Sequence, residues 1–164
     1  MLIGVISDTH DNLPMIARAV EELKARGAQM LLHAGDYVAA FAVKEILAVG
    51  LPLVGVFGNN DGEKEGLRRV HEGLFDEPHR LELGGRRIVM AHLPQVLTRA
   101  LCEGDHVGIY GHTHVAEVKR GTPLVLNPGE VGGWLTGRCT AAVVDLEDMD
   151  AEIVELGTQR RPGR

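Results

Sequence analysis

The sequence predicts an α/β domain in which successive strands deliver polar side chains to a common edge. Two observations lead there. From Leu2 to Phe57 short apolar runs alternate with segments of helical periodicity. Each run gives way at once to a cluster containing Asp, His or Asn: Ser7-Asp8-Thr9-His10-Asp11-Asn12, then His33-Ala34-Gly35-Asp36, then Gly58-Asn59-Asn60-Asp61. Strand–helix–strand units with right-handed crossovers build a parallel sheet, and the loops after the carboxyl ends of its strands form the crevice in which ligands bind.

The elements follow in order. Leu2 to Ile6 reads as a buried strand, and a helix is expected from about Pro14 to Arg26, with Asn12 or Leu13 near its cap and Gly27 beyond its end. Its residues Ile16, Ala19, Val20 and Leu23 recur at helical spacing and belong to the core. Met30 to Leu32 forms the second strand, Ala39 to Val49 the second helix and Leu53 to Phe57 the third strand. Residues 62–78 are charged and broken by Gly66 and Gly73, and are expected as a short helix with loops rather than a mobile flap. His71 and His79 lie there without partners at ligand spacing and read as surface histidines. After Pro78 the pattern changes to a hairpin, Arg80 to Leu83 and Arg87 to Ala91 around Gly84-Gly85. A helix from Gln95 to Cys102, a strand from His106 to Tyr110, a hairpin of Val115 to Lys119 with Leu124 to Leu126, and two last strands, Thr140 to Leu146 and Glu152 to Leu156, complete the chain.

The 164 residues, 45% hydrophobic, suit one domain over 1–156, and the basic stretch 157–164 is expected to be a disordered tail. A net charge of −6 argues against a general nucleic-acid binder. No apolar stretch is long enough to span a bilayer, and Leu2 to Ile6 runs straight into polar residues instead of a cleavage site, so no membrane association and a cytoplasmic location are expected. Cys102 and Cys139 have no metal-ligand spacing and are expected to be buried free thiols.

Five polar clusters thus stand at five expected strand ends: Asp8 with His10, Asp36, Asn59, His92, and His112 with His114. One carboxylate with an imidazole is a weak signal, because Asp8 ending a strand and Asn12 capping a helix would account for it. Five such clusters point to a metal site of mixed nitrogen and oxygen donors.

In Asp8-Thr9-His10, Gly35-Asp36, Gly58-Asn59-Asn60-Asp61, Ala91-His92 and Gly111-His112-Thr113-His114, nearly the whole chain resembles the calcineurin-like metallophosphoesterase superfamily, in particular its small uncapped bacterial and archaeal phosphodiesterases. The resemblance implies the metallo-dependent phosphatase fold, two mixed sheets in an α/β/β/α sandwich. It implies two divalent metal ions, one held by Asp8, His10 and His114, the other by Asn59, His92 and His112, with Asp36 bridging. Manganese is the favoured metal, with iron, nickel, cobalt or zinc admitted by the same donors. The implied activity is hydrolysis of a small phosphate ester or nucleotide-type diester by a metal-bridging hydroxide. Phosphomonoesterase or nucleotidase action is the alternative within the class, and a non-catalytic metal-binding scaffold the alternative outside it. Small relatives often associate, so a homodimer is expected.

Three departures stand out, of which one, Ala91 and Leu93 around His92 where relatives often carry glycine or small polar residues, leaves the ligand in place. Where most of the superfamily has a histidine that protonates the leaving oxygen, this chain has Asn60, and an amide is no general acid near neutral pH. Asn60, the second catalytic residue beside Asp36, is therefore expected to hydrogen-bond the phosphoryl oxygens. Glu130 stands where relatives often have serine and is expected to be exposed, as are the pairs Arg68-Arg69 and Arg86-Arg87.

Overall fold

The computed structural model describes residues 1–159. Its first half builds as the periodicity predicts. Strand β1 (Leu2–Ile6) leads to helix α1 (Leu13–Ala25), then β2 (Leu31–His33), α2 (Ala40–Leu47) and β3 (Leu53–Val56). Helix α1 starts where its sequence provides for a start: the Asn12 side chain accepts from Met15 N, and Pro14 occupies the first turn, where no amide is needed. Residues 62–78 contain α3 (Lys64–Val70) and a two-residue strand, β4 (Leu74–Phe75), that the sequence pattern did not reveal. β5 (His79–Leu83) and β6 (Arg86–Met90) are the expected hairpin, followed by α4 (Pro94–Ala100) and β7 (Val107–Ile109). The second hairpin, β8 (Glu117–Lys119) and β9 (Leu124–Asn127), begins two residues later than its pattern suggests.

The last strands are longer than expected, β10 (Arg138–Asp145) and β11 (Asp150–Thr158). Gly157 and Thr158, assigned to the tail by sequence, are ladder residues opposite Cys139 and Arg138. Gln159 N donates to Gly137 O, and the rest of that expected tail, 160–164, lies outside the described residues. Among the described residues no helix is long and apolar enough to cross a membrane.

Two mixed sheets form the layers. The first has the order β11-β10-β1-β2-β3-β4, the second β5-β6-β7-β9-β8. β1, β2, β3 and β4 run parallel, as do β6, β7 and β9, so both sheets turn a row of carboxyl ends the same way along their own strands. The central core is the space between the sheets: Ile3, Val5, Leu32 and Val56 from one meet Ile88, Met90, Ile109 and Leu126 from the other. Ile6 points to the opposite face of β1, into a core with Ile16, Val20 and Leu23 of α1, Val43 and Ile46 of α2 and Leu67 of α3. α4 covers the far face of the second sheet through Leu97 against Val89. The result is the expected α/β/β/α sandwich. Strands buried on both faces read as continuous apolar runs, which is why β1 shows no alternation. Cys139 is buried as expected, whereas Cys102, just past α4, is exposed.

Candidate metal centre

Every side chain singled out at a strand end arrives in one place. Asp8 and His10 follow β1, Asp36 follows β2, Asn59 follows β3, His92 follows β6, and His112 and His114 follow β7. Backbone hydrogen bonds knit these loops across the two sheets: Asp8 N donates to Gly35 O, His10 N to Asp36 O, and Gly111 N to His92 O. Close approach requires glycine at two of the junctions. A Cβ on Gly35 would lie 2.6 Å from His92 Nδ1, and one on Gly111 would collide with the Ser7 hydroxyl. Asp8, His10, Asp36, His112 and His114 themselves adopt left-handed backbone angles, with φ of 51, 42, 64, 66 and 60°. This region is sparsely used by any residue with a Cβ, although Asp and His enter it more readily than most. Asp61, buried beneath, accepts from Asp36 N, Val38 N and Gly58 N and fixes the second loop to the third.

Two trios of donor atoms emerge, each within 4.8 Å: Asp8 with His10 and His114, and Asp8 with Asp36 and His92. His10 Nε2 stands 3.8 Å from Asp8 Oδ1 and 3.6 Å from Asp36 Oδ2. His92 Nε2 is 3.4 Å from Asp36 Oδ2, and His114 Nε2 is 3.4 Å from Asp8 Oδ1. His112 lies outside these trios but meets the second group through Asn59, whose Oδ1 is 2.9 Å from both His112 Nδ1 and His92 Nε2. His112 and His114, two residues apart, therefore face different partners.

The hydrogen bonds around these groups leave the inward-facing atoms for a cation. Asp8 Oδ2 is taken by the Ser7 hydroxyl at 2.6 Å and His112 N at 3.0 Å, while Asp8 Oδ1, buried, has no hydrogen-bond partner, nor has His10 Nε2 beside it. A buried carboxylate oxygen without a partner carries its full desolvation cost unless a cation meets it. Burial pushes the Asp8 carboxyl above its ordinary range, only partly opposed by Ser7 and by His92 and His114. His92 turns its other nitrogen to Ala34 O at 2.8 Å, which fixes Nε2 inward. Burial also acts upward on Asp36, but the charge and hydrogen bonding of His92 and the two bonds from Asn60 outweigh it and hold this carboxyl far below its usual range. The donor set, carboxylate oxygens with imidazole nitrogens and one amide oxygen, suits divalent transition metals.

Asn60 has a contact that the sequence did not foretell, and the expectation for Glu130 changes. Asn60 donates both its backbone N–H and its side-chain amide to Asp36, each at 2.8 Å, so in this structure its amide holds the carboxylate. Glu130 is not exposed but fully buried, and its Oε2 lies 2.8 Å from His114 Nδ1. Burial would raise its carboxyl; the bonds from His114, Thr136 and Leu135 prevail and bring it down to about 2. No local signal foretold this, because Glu130 is buried by residues 135 and 136 folding back over it.

The match to known proteins agrees with this geometry. The model of the calcineurin-like phosphoesterase superfamily domain matches residues 1–149. The chain belongs to the calcineurin-like phosphoesterase superfamily. Phosphodiesterase MJ0936 of Methanocaldococcus jannaschii is 37% identical to it, with 95% of this chain and 99% of that protein covered. Among solved structures, an archaeal phosphodiesterase aligns with a TM-score of 0.85 at 34% identity, covering 94% of this chain and 99% of the other. The Escherichia coli phosphoesterase YfcE aligns with a TM-score of 0.69 at 27% identity, covering 96% and 100%. Members of this superfamily bind divalent metals, and the two trios are where this member's donor atoms gather.

Proposed function

We propose that this chain is a metal-dependent phosphodiesterase whose centre is the cluster of Asp8, His10, Asp36, Asn59, His92, His112 and His114. The observation that carries the reading is the pair of donor trios meeting at Asp8, with Asp8 Oδ1 and His10 Nε2 buried and lacking hydrogen-bond partners. Asp8, His10 and His114 are assigned one divalent ion, Asn59, His92 and His112 the second, and Asp36 lies between them; manganese is the favoured ion. Such a pair supplies Lewis acidity toward the phosphoryl oxygens and a water activated at neutral pH.

The protein's part is placement. Ser7 and the His112 amide hold Asp8 by one oxygen so that the other faces His10 and His114. Ala34 and Glu130 orient His92 and His114 from behind. Counting two divalent ions against Asp8 and Asp36, the centre keeps a positive charge that draws an anionic ester, and its neutral ligands leave that charge undiluted. The presence of all seven side chains argues against a scaffold without chemistry. The relatives named as phosphodiesterases, at 37 and 34% identity, favour a diester over a monoester.

The test is hydrolysis of a nitrophenyl phosphodiester beside the matching monoester, before and after chelation and after manganese is restored. Activity lost with chelator and recovered with metal, with the diester faster, is the expected result. A monoester preference would reassign the protein as a phosphatase, and turnover indifferent to chelator would remove the metal centre.

With Asn60 in place of an acid, alkyl leaving groups should turn over poorly relative to nitrophenol. Asn60→His is expected to raise the ratio of alkyl-ester to nitrophenyl-ester turnover severalfold, a fraction of the roughly 10²–10⁴-fold that a positioned general acid supplies. An unchanged ratio would show that the missing imidazole does not limit these substrates.

A further inference from the structure

Beside the centre lies an apolar wall that the metal chemistry does not use. A cleft of about 360 Å³ is lined by His10, Asn60, His114, Trp134 and Leu135. Trp134 is the chain's single tryptophan in a sequence only 4% aromatic, and it is 44% exposed; Leu135 is 63% exposed. More than half of the indole is covered by the protein, and the part left open lines the cleft beside His10 and His114.

The indole is held in place. Its Nε1 donates to the carbonyl of His10 at 3.1 Å, so the polar edge of the ring is spent on the protein. Gly132 lies beneath it: a Cβ there would come within 2.9 Å of Trp134 Cδ1. The loop that carries it is bound to the strand-end loop of the centre at Val131 N to Ser7 O, Gly132 N to Asp8 O and Asn12 Nδ2 to Gly132 O. On the other side Leu135 N and Thr136 N donate to Glu130, the carboxylate that also holds His114. A ring fixed this way loses little freedom on binding, which favours recognition of a flat partner.

We propose that Trp134 is the stacking platform for an aromatic arm of the ester, so that the preferred substrates carry a nucleobase or another flat ring within reach of the phosphoryl group. Stacking on an aromatic face is tolerant of base identity and contributes enough to alter affinity about tenfold or more. Leu135 extends the same wall, and the open side of the cleft lets the second arm leave toward solvent. The cleft is of a size for one ring and a phosphoryl group, not for a folded partner. This inference rests on the phosphoesterase reading of the centre, since it places the ring beside a phosphoryl group held there.

The experiment compares adenosine 5′-phosphate with ribose 5-phosphate, two probes that share a sugar phosphate and differ by the base. Isothermal titration calorimetry on the manganese-loaded protein should give about tenfold tighter binding of the nucleotide, accompanied by quenching of the single tryptophan's fluorescence. In Trp134→Ala the preference should collapse to near unity, and in Trp134→Phe most of it should return. The ratio is internally controlled, because a variant that failed to fold would lose both probes. Equal affinities in the unaltered protein, or a preference that survives Trp134→Ala, would overturn the platform and leave the indole to some partner other than substrate. Stacking that persists in a protein unable to hydrolyse the nitrophenyl diester would instead sink the phosphodiesterase reading while keeping a nucleotide subsite.

Discussion

Asp36→Asn is expected to lower metal-dependent hydrolysis of a nitrophenyl phosphodiester by about 10³-fold or more, since charge stabilisation by bound metal is worth several kcal/mol and each 1.4 or so is a factor of ten. Asp36 Oδ2 is a carboxylate oxygen that lies near both His10 and His92, and with Asp8, which both donor trios share, it joins the two groups. An amide has the same shape but neither the charge nor two accepting oxygens. Asn60 donates to both Asp36 oxygens, and after substitution one of those donors would face another donor. Bound metal should fall from two ions per chain, the number the proposed centre holds, in elemental analysis of the purified variant. Full metal content with lost activity would mean that Asp36 acts on the substrate side, and unchanged activity would remove it from the centre.

Glu130→Gln is the second large effect, acting through His114. One carboxylate oxygen lies at His114 Nδ1 while the other accepts from Thr136 N and Oγ1. Glutamine can keep the Thr136 side only by turning its NH2 toward His114. The imidazole would then have to place its proton on Nε2, the nitrogen aimed at Asp8 Oδ1, where it blocks metal binding. Metal affinity measured by competition with a chromogenic chelator should drop about 10–100-fold, the usual cost of removing such a partner. Acid stability gives an independent check. The Glu130 carboxyl, ordinarily at 4.5, sits at about 2 in the folded chain. Its contribution to stability is therefore complete above the ordinary value and is lost as pH falls from about 4.5 toward 2. Melting of the metal-free Gln variant should lack that part of the acid slope. An identical slope in both proteins would mean that Glu130 is not held as the structure has it.

The parts legible in the sequence were those written locally. β1 and α1 announce themselves by an apolar run, an asparagine cap and a proline in the first turn, and the strand-end position of Asp8, Asp36 and Asn59 follows from alternation alone. The division of His112 from His114 came from family resemblance, and the structure turns these two toward Asn59 and Asp8. β4 escaped notice because two residues carry no period, and their pairing depends on β3 lying alongside. Glu130 reads as exposed for a related reason: a glutamate after Asn127-Pro128-Gly129 looks like a solvated turn, and what holds it inside is His114, sixteen residues earlier, and Thr136, six later. Cys102 has apolar neighbours in sequence, yet it follows the short helix at the rim and faces out.

The left-handed backbone at Asp8, His10, Asp36, His112 and His114 bears on the ancestry and fate of such a chain. At each of these five positions a glycine would fold more comfortably, by about 1 kcal/mol. Selection for folding alone therefore runs against the residues that give the centre its chemistry, and only the demand for turnover keeps them. Glycine at any one of them is therefore expected to leave the melting temperature of the metal-free protein no lower while removing a ligand from the centre.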